Sequence, residues 1–150
     1  MAALSRLEIV ANSFRYAAFV YLHSMLEYIS LKSSGIQSAS LILPYSEISY
    51  TKLEAIDHVL RIVRGCLPLT HSEYSALCFP LFCAGCESES GDHRMFVLYC
   101  LDQLELNFGI GNTSRVKALI QHIWTSKIVG GVKKHWIEAL EELGWELILT

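Results

Sequence analysis

The chain has 150 residues, of which 52% are hydrophobic and 18% charged, and its formal net charge is -3. This length fits one domain, and the few prolines and glycines exclude a disordered, collagen-like or low-complexity polypeptide. The mean hydropathy of +0.34 is high. However, the longest apolar stretch, Ala76 to Cys86, is shorter than the about 20 residues that a membrane span needs. We therefore expect no membrane segment.

The five cysteines indicate a reducing compartment. Their number is odd, and they lie mostly inside apolar stretches, which favours free buried thiols over disulfides; they are Cys66, Cys78, Cys83, Cys86 and Cys100. Arg6, Glu8 and Arg15 interrupt the first apolar residues, which argues against a secretory signal. We expect a soluble intracellular protein.

Helical periodicity dominates the chain, and no convincing strand-type alternation is present. We predict an all-α fold, an irregular array of about six helices with no sheet, as a single domain over residues 1–150. In the first helix, within residues 4–30, apolar residues recur three and four apart: Leu4, Leu7, Ala11, Phe14, Ala18, Tyr21, Met25 and Tyr28. Because residues 16–22 are apolar on all sides, we expect this helix to have neighbours on most of its faces.

The second and third helices are predicted from their caps. Residues 32–46 form a Ser-rich loop, after which Ser46 is the candidate cap of the second helix. Its buried stripe is predicted to be Leu53, Ile56, Leu60, Val63 and Leu67, with Asp57 and Arg61 paired on the surface. For the third helix, Thr70 and Glu73 have capping-box spacing, with Leu69 and Tyr74 as a hydrophobic staple. Pro80 should kink this helix, and Gly85 permits close approach of another helix.

Three further helices follow. The fourth begins near Ser90 or Asp92 and stops at Gly109, the fifth is capped by Asn112, and the short sixth ends before Gly144. The predicted buried residues are Val97, Leu98, Leu101, Leu104 and Phe108 in the fourth, Val116, Leu119, Ile120, Ile123 and Trp124 in the fifth, and Trp136, Ile137, Leu140 and Leu143 in the sixth. Gly130 and Gly131 separate the last two helices.

Charge is unevenly distributed along the second half of the chain. Residues 87–108 hold five carboxylates against Arg94 alone, residues 109–137 hold five basic side chains and no carboxylate, and four glutamates follow. A basic segment of this kind can bind phosphate backbones. Because acidic segments flank it, we expect neighbouring helices to neutralise one another instead.

No motif for catalysis or metal binding is convincing. Cys83 and Cys86 form one Cys-x-x-Cys near Cys78 and His93, but a zinc site needs four well-spaced ligands. Gly109 and Gly111 lack the preceding strand and the third glycine of a phosphate-binding loop. We therefore predict no catalytic, cofactor-binding or metal-binding residues, no cofactor and no enzymatic activity.

Several segments, taken in order, resemble a known family. These are Phe79-Pro-Leu-Phe-Cys-Ala-Gly-Cys-Glu87, then Arg94, Asn112 and Ile123-Trp124, and finally the stretch from Trp136 to Leu149. Arg15-Tyr-Ala-Ala-Phe-Val-Tyr-Leu-His23 adds to the likeness. Together they are similar to the carboxy-terminal half of the fungal-specific transcription factor domain, the helical regulatory region of fungal factors with a two-zinc, six-cysteine cluster.

The resemblance implies a nuclear, transcription-regulatory domain that acts through protein contacts and not through catalysis. Phe79 replaces the family's usual tryptophan, and the five cysteines cannot form the six-cysteine zinc cluster. Direct DNA binding by this chain is therefore expected to be weak, whereas a protein partner or self-association is expected. The alternatives are a small-molecule-binding helical domain, which would need an enclosed pocket, and an oligomerisation module.

The resemblance also explains the high proportion of hydrophobic residues in this chain. If the chain is the carboxy-terminal part of a larger regulatory domain, helices that would cover its first helix are missing. We therefore predict that apolar side chains from residues 4–28 are more exposed than their pattern would suggest.

Overall fold

The computed structural model describes residues 5–32, 49–109, 112–126 and 134–145. These residues form six α-helices, with no strand among them. The helices are α1 (Arg6–Lys32), α2 (Lys52–Gly65), α3 (Cys78–Glu87), α4 (Gly91–Phe108), α5 (Asn112–Thr125) and α6 (Trp136–Leu143), and the 3-10 helix Ser72–Leu77 precedes α3. The all-α prediction is confirmed. No helix within the described ranges is long and apolar enough to span a membrane.

The central helix of the array is α3, not α1. Nearly every residue of α3 is buried, and this helix contacts α1, α2, α4 and α5. Its Phe82 is 1% exposed and meets the Trp136 ring of α6 edge-on. A run that is apolar on all sides does lie in the middle of the fold, but that run is Cys78–Glu87.

The prediction that α1 has neighbours on most of its faces is therefore wrong. Its buried residues are mostly small, namely Val10, Ser13, Ala17, Val20 and Ser24, together with His23. Ile9, Tyr16 and Phe19 pack beside them as partly buried residues. Most of the predicted series of apolar residues faces the other way, since Leu7, Ala11, Phe14, Ala18 and Tyr21 are exposed. Met25 and Tyr28 are half-buried, and Leu4 lies outside the described residues. The small side chains of Ser13, Ala17 and Ser24 let the backbone of α1 approach its neighbours closely.

Helix α2 begins later than predicted. Its cap is Thr51, whose Oγ1 accepts a hydrogen bond from the Glu54 backbone N–H at 3.2 Å; Ser46 and the loop 33–48 lie outside the described residues. Leu53 is 62% exposed, while Ile56, Leu60 and Val63 are buried as predicted. The Asp57 carboxylate pairs with His93 of α4 at 3.2 Å rather than with the predicted Arg61.

The start of α3 also differs from its prediction. Thr70 is not a cap: a 3-10 helix with His71 before it leads into α3, whose first residue is Cys78. Pro80 is consequently the third residue of α3. The N–H groups of the first turn have no intrahelical acceptor, so this proline removes no helical bond and the expected kink has no cause.

The last three helices begin and end close to the predicted residues, but the predicted cap Asn112 is itself the first residue of α5. In α4, Leu98 and Phe108 are half-buried and not buried as predicted. Ser90 caps α4, while Gly109 and Gly144 end α4 and α6 in the left-handed conformation, with φ of 62° and 64°. The predicted stripe of α5 is buried from Val116 to Ile123, with Trp124 partly buried against the core. In α6 the fully buried residue is Ala139, and the predicted larger residues are half-buried around it. Gly130, Gly131 and residues 146–150 lie outside the described residues.

Candidate functional site

The main surface feature of the described residues is an apolar stripe along the outer side of α1. We define the α1 stripe as Leu7, Ala11, Phe14, Ala18, Leu22, Met25 and Ile29, which share one helix face because they recur every three or four residues. Leu7 is 68% exposed, and Phe14, Leu22 and Ile29 are 37–43% exposed. The prediction of uncovered apolar side chains in this part of the chain is confirmed.

Aromatic residues of other helices extend the stripe on one side. The Phe14 ring stacks on Phe79 of α3 with centroids 5.5 Å apart, and Tyr21, itself 39% exposed, lies 6.2 Å from the Trp136 ring of α6. Phe79 and Trp136 are only partly buried. The apolar surface therefore continues from α1 onto α3 and α6.

The charged residues beside the stripe are Glu8 and Arg15. Glu8 forms a capping box with Ser5: its Oε2 accepts from the Ser5 N–H at 2.8 Å, and Ser5 Oγ accepts from the Glu8 N–H. These hydrogen bonds hold the pKa of Glu8 below its usual value. The Arg15 guanidinium lies 5.8 Å from the Tyr16 ring centroid. Both charges sit at one edge, so the centre of the stripe is uncharged.

A second feature is the ion-pair node around Lys52, where α1, α2 and α3 meet. Lys52 Nζ lies 3.0 Å from both carboxylate oxygens of Glu27 and 3.3 Å from Glu87, whose side chain is only 7% exposed. Burial alone would lower the pKa of Lys52, but the negative charges of Glu87 and Glu27 raise it above the usual value. The two carboxylates thus keep the ammonium charged and join three helices.

Two surface cavities of about 130 and 150 Å³ border this node, and both are lined in part by Lys52, Glu87 and Glu89. Each is smaller than the roughly 300–1,000 Å³ typical of ligand pockets. The charged side chains of the node, Lys52, Glu27 and Glu87, are also paired with one another. The node therefore has the geometry of a structural joint, and it gives the small-molecule-binding alternative little support.

The residues considered for metal or redox chemistry are buried thiols. All five cysteines are buried and none of them forms a disulfide. Burial raises the pKa of Cys78 to about 11 and, with the charge of Glu87 adding to the effect, that of Cys83 to about 12. Thiols of this kind stay protonated, whereas metal ligation and thiol exchange need the thiolate. His93 is engaged with Asp57 instead.

The basic segment pairs with the acidic segments on both sides. Lys117 of α5 contacts the Asp102 carboxylate of α4, and Glu142 of α6 binds Lys134 at 2.5 Å and His122 at 3.1 Å. Lys134 and His122 hold the pKa of Glu142 below its usual value. The expected neutralisation between neighbouring helices is therefore seen at Lys117, while Lys134, just before α6, pairs with a carboxylate of α6 itself.

The residues of the family-like motif build the joint between α3, α4 and α5. Trp124 Nε1 donates to the Gly85 carbonyl oxygen at 2.9 Å. Arg94 Nε donates to the Ser88 carbonyl oxygen at 2.9 Å, and its guanidinium lies 5.1 Å from the Trp124 ring centroid. This motif is therefore a packing signature, and it shapes the body on which α1 lies.

In the part of the chain that the structure describes, the fold is an all-helical domain whose first helix leaves a long apolar face uncovered. The family model of the fungal specific transcription factor domain matches residues 2–150. The chain therefore belongs to this family, which indicates a role in transcription regulation, as the sequence motifs predicted. Searches among curated proteins and among solved structures found no match.

Proposed function

We propose that this domain regulates transcription through protein contacts made by the α1 stripe. The supporting observation is the exposure of Leu7, Phe14 and Leu22 on one side of a helix that is well packed on the other. A large contiguous apolar patch marks an interaction site in a soluble domain. Aromatic residues at its border, Tyr21 and Trp136, belong to the types that are enriched in protein interfaces.

Direct recognition of DNA is not part of this proposal. Binding to phosphates needs lysines and arginines that are free to exchange counterions for DNA. Lys117 and Lys134 are already paired with carboxylates of α4 and α6, and the whole chain is acidic. Membership of a transcription factor family supports a nuclear location, where the stripe would meet its protein partner.

A tethered reporter assay tests this function. The chain is fused to an unrelated sequence-specific DNA-binding domain, and transcription from a reporter carrying that domain's site is compared for the wild type and Leu22→Glu. Leu22 is exposed and lies in the stripe, so the substitution places a charge on the contact surface while the core stays intact. We expect the effect of the tethered chain on transcription to fall severalfold.

Leu106→Glu is the matched control. Leu106 is 78% exposed but lies on α4, so this variant introduces the same charge outside the stripe and should regulate like the wild type. Equal activity of both variants, with both chains folded and equally abundant, would contradict the proposal.

A further inference from the structure

We propose that the partner of the α1 stripe is a second copy of this chain, with the two α1 helices packed antiparallel about a two-fold axis at Ala18. This inference rests on the proposed function, because it names the protein that the stripe contacts. It is carried by the register of the stripe, by the sizes of its side chains and by the extent of its exposed surface.

The stripe has the same spacing in both directions from Ala18. Its positions lie four, seven and eleven residues away on each side: Phe14 and Leu22, Ala11 and Met25, and Leu7 and Ile29. A two-fold axis that crosses an antiparallel helix pair at one residue brings residues equidistant from it to the same level. In this register every stripe residue of one copy meets a stripe residue of the other.

Side-chain sizes fit this register. Ala18 meets itself at the axis, where the absence of a larger side chain lets the helices approach closely. Ala11 lies opposite Met25, a small residue against a long adaptable one, and Phe14 lies opposite Leu22. Alternation of large and small residues across a helix interface is what close packing requires.

The flanking charges are compatible with the same pairing. Glu8 comes to the level of Tyr28 in the second copy, and Arg15 to the level of Tyr21. No like charges are therefore opposed between the described parts of the two α1 helices. Because the interface is isologous, one stripe provides both of its surfaces.

The extent of the stripe meets the lower limit for a dimer. From Leu7 to Ile29 it runs about 33 Å along the helix. Exposed fractions of 37–68% on its four most exposed large residues and on neighbouring Tyr21, with the two alanines, leave roughly 500 Å² of apolar surface per chain, taking about 200 Å² for a fully exposed large side chain. Complete burial of this surface in both copies would remove about 1,000 Å² from water, the smallest area expected of a specific interface.

Light scattering and sedimentation of the full chain over a range of concentrations provide the first test. The wild type should show a concentration-dependent dimer, and Ala18→Glu should be monomeric, because it places two carboxylates together at the axis. Ala18 is exposed, so the variant should retain its helical circular dichroism. The control Leu106→Glu should remain dimeric.

Cysteine cross-linking tests the register. The native thiols are buried, so an introduced thiol dominates mild oxidation. Ala18→Cys should form a covalent dimer by itself. Ala11→Cys should not, because its two copies would lie about 21 Å apart along the helices, well beyond the reach of a disulfide. A mixture of Ala11→Cys and Met25→Cys should cross-link.

A monomeric wild type at all concentrations would overturn this inference, and so would a dimer in which Ala11→Cys cross-links with itself. These outcomes can be distinguished from a failure of the proposed function. If the chain is monomeric but Leu22→Glu still impairs the reporter, the stripe binds a different protein. The second-copy inference is then wrong while the proposed function stands.

Discussion

Gly85 lies where α3 meets α4 and α5, and its missing side chain sets how closely these helices approach. A Cβ atom at this position would lie 2.8 Å from Ile120 Cδ1 and 3.0 Å from Val97 Cγ1. Since both neighbours are fully buried, Gly85→Ala should overpack the joint. We expect it to lower the free energy of unfolding by about 1–3 kcal/mol, measured by urea denaturation.

Gly65→Ala is the control for that variant. Gly65 is also helical, at the end of α2, but a Cβ atom added there would have no neighbour within 4 Å. Replacing a helical glycine by alanine without a clash stabilises a helix by up to about 1 kcal/mol. If both substitutions had the same effect on the urea midpoint, close packing at Gly85 would not be the cause.

The sequence allowed us to predict that another helix approaches closely at Gly85, but not which residues contact it. A glycine within an apolar helix predicts close approach of another helix, and that prediction is confirmed. The bond from Trp124 to the Gly85 carbonyl joins residues 39 positions apart, and helical periodicity carries no information about such distant pairs. The buried Glu87 carboxylate with its Lys52 partner could not be predicted for the same reason.

Helix starts provide a test at the scale of the element. Near helix starts, the Ser/Thr-x-x-Glu spacing occurs at Ser5, Thr51 and Thr70, and the first two form side-chain caps. Thr51→Ala should therefore lower the free energy of unfolding by about 1 kcal/mol. Thr70→Ala, which removes the same group from a residue that caps no helix, should change it by less than about 0.5 kcal/mol. Thermal or urea unfolding of the two variants compares them, and equal losses would contradict the cap assignment.

The Thr70 prediction failed because a capping box needs helical residues directly after the cap. There the chain turns through Leu69, with φ of 61°, and the following 3-10 helix begins only at Ser72.

The prediction of which face of α1 is buried was also wrong. Periodicity shows that two apolar faces exist on this helix, and hydropathy favours the face with larger residues. In the structure, the buried face is instead the one that carries Ser13, Ala17 and Ser24.

For the whole molecule, the buried thiols predict a loss of stability in alkali. In the fold, burial raises the pKa of Cys83 and Cys100 to about 12, whereas the ordinary value is 9.0. Above pH 9 the unfolded chain releases these protons and the folded chain keeps them, so the free energy of unfolding falls as pH rises. Urea midpoints measured between about pH 8 and pH 10.5 should decline.

Cys100→Ala checks the cause of that decline. It removes one of the shifted thiols, so its midpoint should fall less steeply with pH, even though the cavity lowers its stability at every pH. An unchanged slope would show that other groups are responsible. Lys52, with its raised pKa, adds a further loss only above its ordinary value of 10.5, where this pH range ends.

At this scale the helical class, the family and the uncovered first helix could all be predicted from the sequence. The uncovered helix was predicted from the high apolar content together with the resemblance to one part of a larger regulatory domain. Which side of α1 is covered depends on the shape of the body beneath it. That shape arises from α3 and its distant partners.

The smaller inward residues of α1 determine how this helix can diverge during evolution. Ser13, Ala17 and Ser24 are limited by volume, since each lies against the packed body, and even a conservative gain of one or two methyl groups would push the helix away from it. Leu7 and Leu22 are more exposed, and they can change size with less effect on folding. Among relatives of this chain, drift in the small residues would report on the fold, and drift in the large ones on the choice of partner.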